Sequence, residues 1–151
     1  MVDVAKNLLA IKAQLPEGVE LTAVSKFHPD EYITAAYNVG QRIFGESHEQ
    51  ELARKAASLP KDIHWHFIGH LQTNKVKYIA PYISMIESVD SIRLLREIEK
   101  QGARCGRRIR VLLELHIAEE ATKYGLPPTT AGVCSPTANG SRWSMWRYAD
   151  S

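Results

Sequence analysis

The feature that most constrains this chain is the spacing of its apolar, β-prone runs. They begin near residues 21, 42, 64, 85 and 110, so one follows another every 20 to 26 residues. The first four are each followed by a stretch with helical period; no helix is recognisable after the fifth. Parallel strands need a crossover of a dozen or more residues. Repetition of one strand–helix unit at near-constant length is the mark of a parallel sheet or barrel. The predicted fold class is therefore α/β: an incomplete (β/α)8 barrel of the TIM type, with about five parallel strands, intervening helices and an irregular C-terminal tail. A closed barrel needs eight such units and at least ~200 residues. The 151 residues here supply four and a half.

The local signals place the elements. Val4, Leu8, Ile11 and Leu15 recur at helical spacing, predicting a helix over 4–15 that Pro16-Glu17-Gly18 closes. A strand is expected over 21–26 and a helix over 29–39, stopped by Gly40. A second strand covers 42–47, followed by a helix over 49–59 that Pro60 ends. A third covers 64–69; then Thr73 or Asn74 caps a short helix over 75–80. A fourth strand spans 85–90, and Ser91 caps a helix over 92–101 with Gly102 after it. The fifth spans 110–117.

The first of these units carries a lone lysine at its strand end, in Leu21-Thr22-Ala23-Val24-Ser25-Lys26. His28 can stand near the N-cap of the next helix, Pro29 suits its first turn, and Asp30 and Glu31 complement its positive end. In parallel α/β proteins ligands bind at the carboxyl ends of strands. A lysine held there against apolar walls is desolvated, which lowers its pKa and frees the amine for Schiff-base chemistry with an aldehyde. The plainer reading is a solvated lysine at a strand end.

Composition narrows the function classes. Nineteen basic and seventeen acidic residues are interspersed; a nucleic-acid surface should show a basic patch or stripe. Cys105 and Cys134 form no CxxC pair, so neither a disulfide framework nor a thiolate zinc site is expected. No apolar run approaches the roughly 18 residues that span a bilayer, and the N-terminus lacks a signal-peptide layout. The expectation is a cytoplasmic protein that binds neither nucleic acid nor membrane.

Other constellations are weaker. His64 and His66 share a strand face, a possible zinc pair, but no third ligand has suitable spacing, so no metal is expected. Gly45 and Gly69 lie near strand ends, where glycine lets backbone approach a ligand closely, or serves the turn. Glu119-Glu120 with Lys123-Tyr124-Gly125 reads as a salt-bridged turn or as a pocket rim. After Leu126 the composition changes: residues 127–151 hold no Leu, Ile or Phe and one Val. Two domains are therefore drawn, a partial barrel over 1–126 and an irregular tail over 127–151. The tail is either a disordered extension or the product of a lost reading frame or a joined foreign end.

Several of these motifs fall in one familiar order. Val24-Ser25-Lys26 with Pro29, Phe44-Gly45-Glu46 with Gln50-Glu51, and His64-Trp65-His66-Phe67-Ile68-Gly69-His70-Leu71-Gln72 with Asn74-Lys75 come first. Ile86-Glu87-Ser88-Val89-Asp90 and Lys123-Tyr124-Gly125-Leu126 complete the set. Together, over about residues 4–126, they resemble the pyridoxal phosphate homeostasis protein family, which is related to the N-terminal barrel of alanine racemase. The resemblance implies a barrel that binds pyridoxal 5′-phosphate (PLP) through a Schiff base on Lys26. It assigns Ser47, His66, Gly69, Gln72, Asn74 and Lys123 to the cofactor site and no residue to catalysis. Ser47-His48 stands where the family often has Asn-Tyr.

The same resemblance implies a role in intracellular PLP homeostasis as a carrier, without established turnover, serving PLP-dependent apoenzymes. A monomer is expected for the family; exposed strand edges leave self-association open. The alternatives are a PLP-dependent racemase with Tyr124 as its acid/base, a Schiff-base lyase using Lys26 directly, an inactive fragment, or an interaction module. In the family the cofactor phosphate is held mainly by Ser, Gly, Arg and Thr residues of the last third of the barrel, which residues 127–151 do not match. Each charge-assisted bond missing there removes ~1.5–3 kcal/mol, so two weaken affinity by more than about a hundredfold. Weak binding is expected unless dimerisation completes the pocket.

Overall fold

The computed structural model describes residues 3–117 and 124–127. Lys123 and nearly all of the predicted tail lie outside the described residues. The elements run α1 (Val4–Lys12), β1 (Ala23–Val24), α2 (Asp30–Asn38), β2 (Ile43–Glu46), α3 (Glu49–Ser58) and β3 (His64–Phe67). A 3₁₀ turn (Thr73–Lys75), α4 (Val76–Ile79), β4 (Ile83–Val89), α5 (Ile92–Arg104) and β5 (Arg110–Leu113) follow. The five strands form one parallel sheet in the order β1-β2-β3-β4-β5. Each strand thus pairs with the next one in sequence, the winding of a TIM-type barrel.

Register decides which side chains share a face. Ala23 lies beside Phe44, which lies beside Trp65; Val24 lies beside Gly45, which lies beside His66 and then Met85. Side chains alternate along a strand. One face therefore carries Phe44, Glu46, Trp65, Phe67 and Ile86 towards the helices. The other, the inner face, carries Val24, Gly45, His66, Met85 and Glu87. The core forms on the helix side, where Phe44, Phe67 and Ile86 meet Ile33 of α2, Leu52 of α3, Val76 and Ile79 of α4, and Leu94 and Ile98 of α5. Phe44 and Trp65 also pack ring to ring, with centroids 6.0 Å apart.

Several boundaries differ from the sequence expectation, each for a local reason. The first strand shrinks from 21–26 to two residues because it pairs on one side only, with β2. Buried Gln41 takes over part of its ladder, donating to the carbonyls of Leu21 (2.6 Å) and Ile43 (2.7 Å). Pro29, extended at φ −69°, ψ 159°, is itself the N-cap of α2 and makes no side-chain capping bond. Helix α5 runs through Gly102 to Arg104. There the missing side chain is needed, since a Cβ would sit 3.0 Å from the Arg107 carbonyl. The stop comes at Gly106, whose φ is +63°. Ser91 caps α5 as expected, accepting from the Leu94 amide at 3.3 Å. The fifth strand ends at Leu113, and Leu115 then forms an isolated parallel bridge to Leu126.

Tyr82, just before β4, holds its hydroxyl buried without a partner, and burial pushes its pKa up to about 12. A raised folded-state pKa contributes stability below the ordinary phenol value of 10.0 that is lost as pH climbs towards 12. Tyr82→Phe removes the orphaned hydroxyl. It is expected to leave stability at pH 7 unchanged or to raise it by up to about 1 kcal/mol, and to reduce the loss between neutral and strongly alkaline pH. Urea unfolding of both proteins at the two pH values checks this; a Tyr82→Phe protein less stable by more than about 1 kcal/mol would contradict it.

Candidate functional site

The carboxyl ends of β1 to β4 converge on one rim of the sheet. Lys26 follows β1, Ser47 follows β2, Ile68 and Gly69 follow β3, and Asp90 follows β4. Gly69 is required there by close approach: a Cβ on it would lie 2.5 Å from the Ser47 carbonyl oxygen and 2.7 Å from the Ser47 Cβ. The β2 and β3 ends are thus pressed together at Ser47 and Gly69. Ser88 of β4 donates a short hydrogen bond to the Gly69 carbonyl, extending the contact one strand further. Gly45 is tight for the same kind of reason, with Thr22 and Ile68 side chains 3.2 Å from where its Cβ would stand.

On the inner face His66 is buried, at 5 % exposure. Its Nδ1 lies 2.6 Å from Glu87 Oε1, and its Nε2 is buried without any partner. In the neutral ring the carboxylate places the proton on Nδ1 and leaves Nε2 as an acceptor. Buried polar atoms are rarely left without a partner, and Nε2 is such an atom on the inner face of the sheet.

Lys26 is exposed, as the plainer sequence reading of a solvated lysine has it, and not walled in by apolar side chains as the Schiff-base reading expects. It projects from a turn at the edge strand of the described sheet. The Ser25 carbonyl accepts from the His28 amide at 3.1 Å, closing Ser25, Lys26, Phe27 and His28 into a β-turn. Phe27, its third residue, has φ +63°, whereas Lys26 is not among the positive-φ residues. That is the pattern of a type II turn, whose third position favours glycine.

The turn is held from behind by a buried charge network. Lys55 of α3 is completely buried and its Nζ donates three bonds, to the Ser25 carbonyl (2.8 Å), Glu46 Oε1 (2.8 Å) and Glu51 Oε1 (2.7 Å). Ser25 Oγ donates to the same Glu46 oxygen at 2.6 Å. Glu51 Oε1 also accepts from the Phe27 amide at 2.9 Å. Burial pulls the Glu51 carboxyl pKa up, but the Lys55 ammonium and the Phe27 amide outweigh that and hold it below its ordinary 4.5. A depressed carboxylate pKa stabilises the fold above the ordinary value, and that contribution is lost as pH falls below it. Lys75 supports the neighbouring loop through Glu49 at 2.7 Å.

The remaining predicted positions are placed differently. Gln72 caps the 3₁₀ turn through its backbone and Asn74 lies within that turn; both side chains are exposed on the β3–α4 connection. Ser47 Oγ contacts His48 Nδ1 at 3.1 Å, and the His48 ring lies 5.3 Å from Phe27. His70 pairs with Asp90 at 3.1 Å and stacks on Tyr124 at 4.2 Å, bringing the segment 124–127 to the same rim. His64 is exposed and His66 is engaged with Glu87. Among the described residues no group of three or more His, Cys, Asp or Glu side chains is arranged to hold a metal ion, and no helix is long and apolar enough to cross a membrane. The sequence reading missed Lys55 and the part played by Glu46 and Glu51. The signal was present in the i, i+4 spacing of Glu51 and Lys55 on a helix that otherwise reads as surface.

No family model matches the chain. Individual proteins do. It is 41% identical over 117 residues to a pyridoxal phosphate homeostasis protein of Bos taurus, covering 72% of this chain and 43% of that one. The solved structure of PipY from Synechococcus elongatus without PLP superposes at a TM-score of 0.81 and 36% identity, over 86% of this chain and 61% of that one. The same protein with PLP bound gives 0.76 over 83% and 59%. An Enterococcus faecalis alanine racemase, 19% identical, shares the fold at a TM-score of 0.65, over 82% of this chain and 34% of that one. The chain spans about half the length of the curated relatives it matches.

The network generates a stability prediction. Lys55→Met leaves Glu46 charged and buried without its counter-ion and is expected to cost about 3–5 kcal/mol. Lys55→Met/Glu46→Leu, which removes both charges, should recover at least about half of that loss. Denaturant unfolding of the three proteins measures it; a single variant within about 1 kcal/mol of the parent would show the pair to be energetically idle.

Proposed function

Because the chain belongs to the pyridoxal phosphate homeostasis protein family, of whose matched members it spans about half, we propose that it binds PLP covalently through Lys26. The single observation that carries the proposal is the placement of Lys26: an accessible amine on a held turn at the carboxyl rim, one strand from a glycine-tight wall and two from a histidine with a free buried nitrogen. The cofactor supplies an aldehyde that condenses with a primary amine, an aromatic ring, and a phosphate anion. The described residues suit the first two. The Lys26 amine provides the nucleophile. The Ser47–Gly69 contact brings backbone close enough to flank a flat ring. His66 Nε2 offers an acceptor to a ring substituent that carries a proton, while Glu87 holds the imidazole in orientation. Gln72 and Asn74 are assigned to the rim, where exposed amides can reach a ligand without being buried by it.

The role that fits is reversible holding rather than turnover. Tyr124, the acid/base candidate of the racemase alternative, is exposed and stacked on His70, and among the described residues it makes no contact with Lys26 on which a proton transfer could be built. A carrier needs an amine that solvent and a recipient can reach, and an exposed Lys26 meets that need. PLP-dependent apoenzymes are the class of recipient, and an intracellular setting follows from that role.

The test is reduction with borohydride after incubation with PLP, followed by peptide mapping of the 151-residue chain. One pyridoxyl adduct on Lys26, abolished in Lys26→Ala, is the expected outcome. Adducts scattered over surface lysines, or none, would overturn the reading. An adduct on Lys26 together with racemisation or retro-aldol activity would replace the carrier by the enzyme alternative.

A further inference from the structure

The strongest unassigned feature is where the buried network ends. Of the bonds made by Lys55 and Glu51, one reaches the peptide unit before Lys26 and one reaches the peptide unit after it. Lys55 Nζ donates to the Ser25 carbonyl at 2.8 Å, and the Phe27 amide donates to Glu51 Oε1 at 2.9 Å. Lys55 and Glu51 are themselves joined at 2.7 Å, so the two grips are one rigid unit on α3. Between them stands Lys26, in a turn whose third residue, Phe27, occupies a left-handed conformation at φ +63° without being glycine. Such a residue persists when its surroundings over-determine it. The Phe27 ring does not supply that constraint, since it is 74 % exposed. The amide bond to Glu51 does.

We infer that Glu51 and Lys55 are positioning residues for Lys26: they clamp the backbone on both sides of it and so fix where its amine stands. This rests on the reading of Lys26 as the amine that takes an aldehyde cofactor. Neither residue touches the cofactor. Both lie on the helix side of the sheet, and they act through the Ser25–His28 turn. Ser25 is tied into the network by its hydroxyl as well, which donates to Glu46 Oε1, while its neighbour Lys26 stands exposed in the turn. Without the clamp the turn samples other conformations, and the amine reaches the reacting geometry in fewer of them.

Glu51 is the residue to change, because its side chain is 19% exposed whereas that of Lys55 is fully buried. Glu51→Ala removes the acceptor; Glu51→Gln keeps a carbonyl oxygen at the same place. The rate of reductive trapping of PLP on Lys26, the share of total adduct on Lys26, and the melting temperature are measured for both variants and the parent. Glu51→Ala is expected to slow trapping at Lys26 by about tenfold and to spread adduct to other lysines, the scale of one lost charge-assisted bond. Glu51→Gln is expected to restore trapping to within about threefold of the parent. The distinction from general destabilisation is made at a temperature where all three proteins are fully folded. Equal trapping rate and selectivity in Glu51→Ala and the parent would overturn the clamp alone. A parent that forms no Lys26 adduct would overturn the cofactor reading and the clamp with it. Should Glu51→Ala fail to fold, replacement of the Lys26–Phe27 peptide bond by an ester, which deletes the clamped N–H while keeping the Phe27 side chain and the Lys55–Glu51 pair, is expected to show the same loss, and unchanged trapping there would overturn the proposal.

Discussion

Everything distinctive about this half-barrel hangs on a lysine that has no access to water. Lys55 lies between α3 and the sheet with each of its three ammonium protons committed, to Glu46, to Glu51 and to the Ser25 carbonyl. An ion pair in such a place contributes little net stability, because desolvation offsets the Coulomb attraction, yet losing one partner is costly. That asymmetry makes the pair a specificity device: it disfavours any arrangement in which β1, β2 and α3 are not in this register. The short first strand depends on it. Two ladder residues alone would hold the edge poorly. Gln41 at one end and Lys55 at the other supply the missing bonds.

The sheet separates structure from chemistry by alternation. Residues facing the helices build the core and the charge network; those facing inward carry the glycine contact and His66. The two sets are interleaved along the same strands, so a change on one side displaces its neighbours on the other. Gly45 and Glu46 show this within one dipeptide. The glycine admits Thr22 and Ile68 side chains on the inner face, while the glutamate anchors Lys55 behind.

Much of this was legible in the sequence. The recurrence of β-prone runs announced the parallel sheet, and the order of the strands followed from it. Ser91 and Pro60 marked helix ends by their chemistry. Other features lay beyond local pattern. Gly102 reads as a stop signal, but its real constraint is the carbonyl of Arg107 packed against it, a tertiary contact. Lys55 reads as a solvent-facing helix former. Only the strand register, which brings Glu46 under α3, makes it a core residue. Lys26 was singled out by position and by resemblance, and of its two sequence readings the exposed one matches the structure. The described edge strand leaves it open, so the polarity of its setting comes from the turn rather than from apolar walls.

The central claim is that a buried network fixes the backbone on either side of Lys26. Hydrogen exchange at the single Phe27 amide tests it most directly. Phe27 sits in a turn, with its ring largely in solvent, where an unclamped amide would exchange freely. Bonded to Glu51, it should be protected at neutral pH by about the stability of the surrounding sheet. Its protection factor should fall as pH drops below 4.5 and Glu51 takes up a proton, ahead of the amides of the core strands. An unprotected Phe27 amide at neutral pH, or protection indifferent to the state of Glu51, would show that the turn carrying Lys26 is not held from behind.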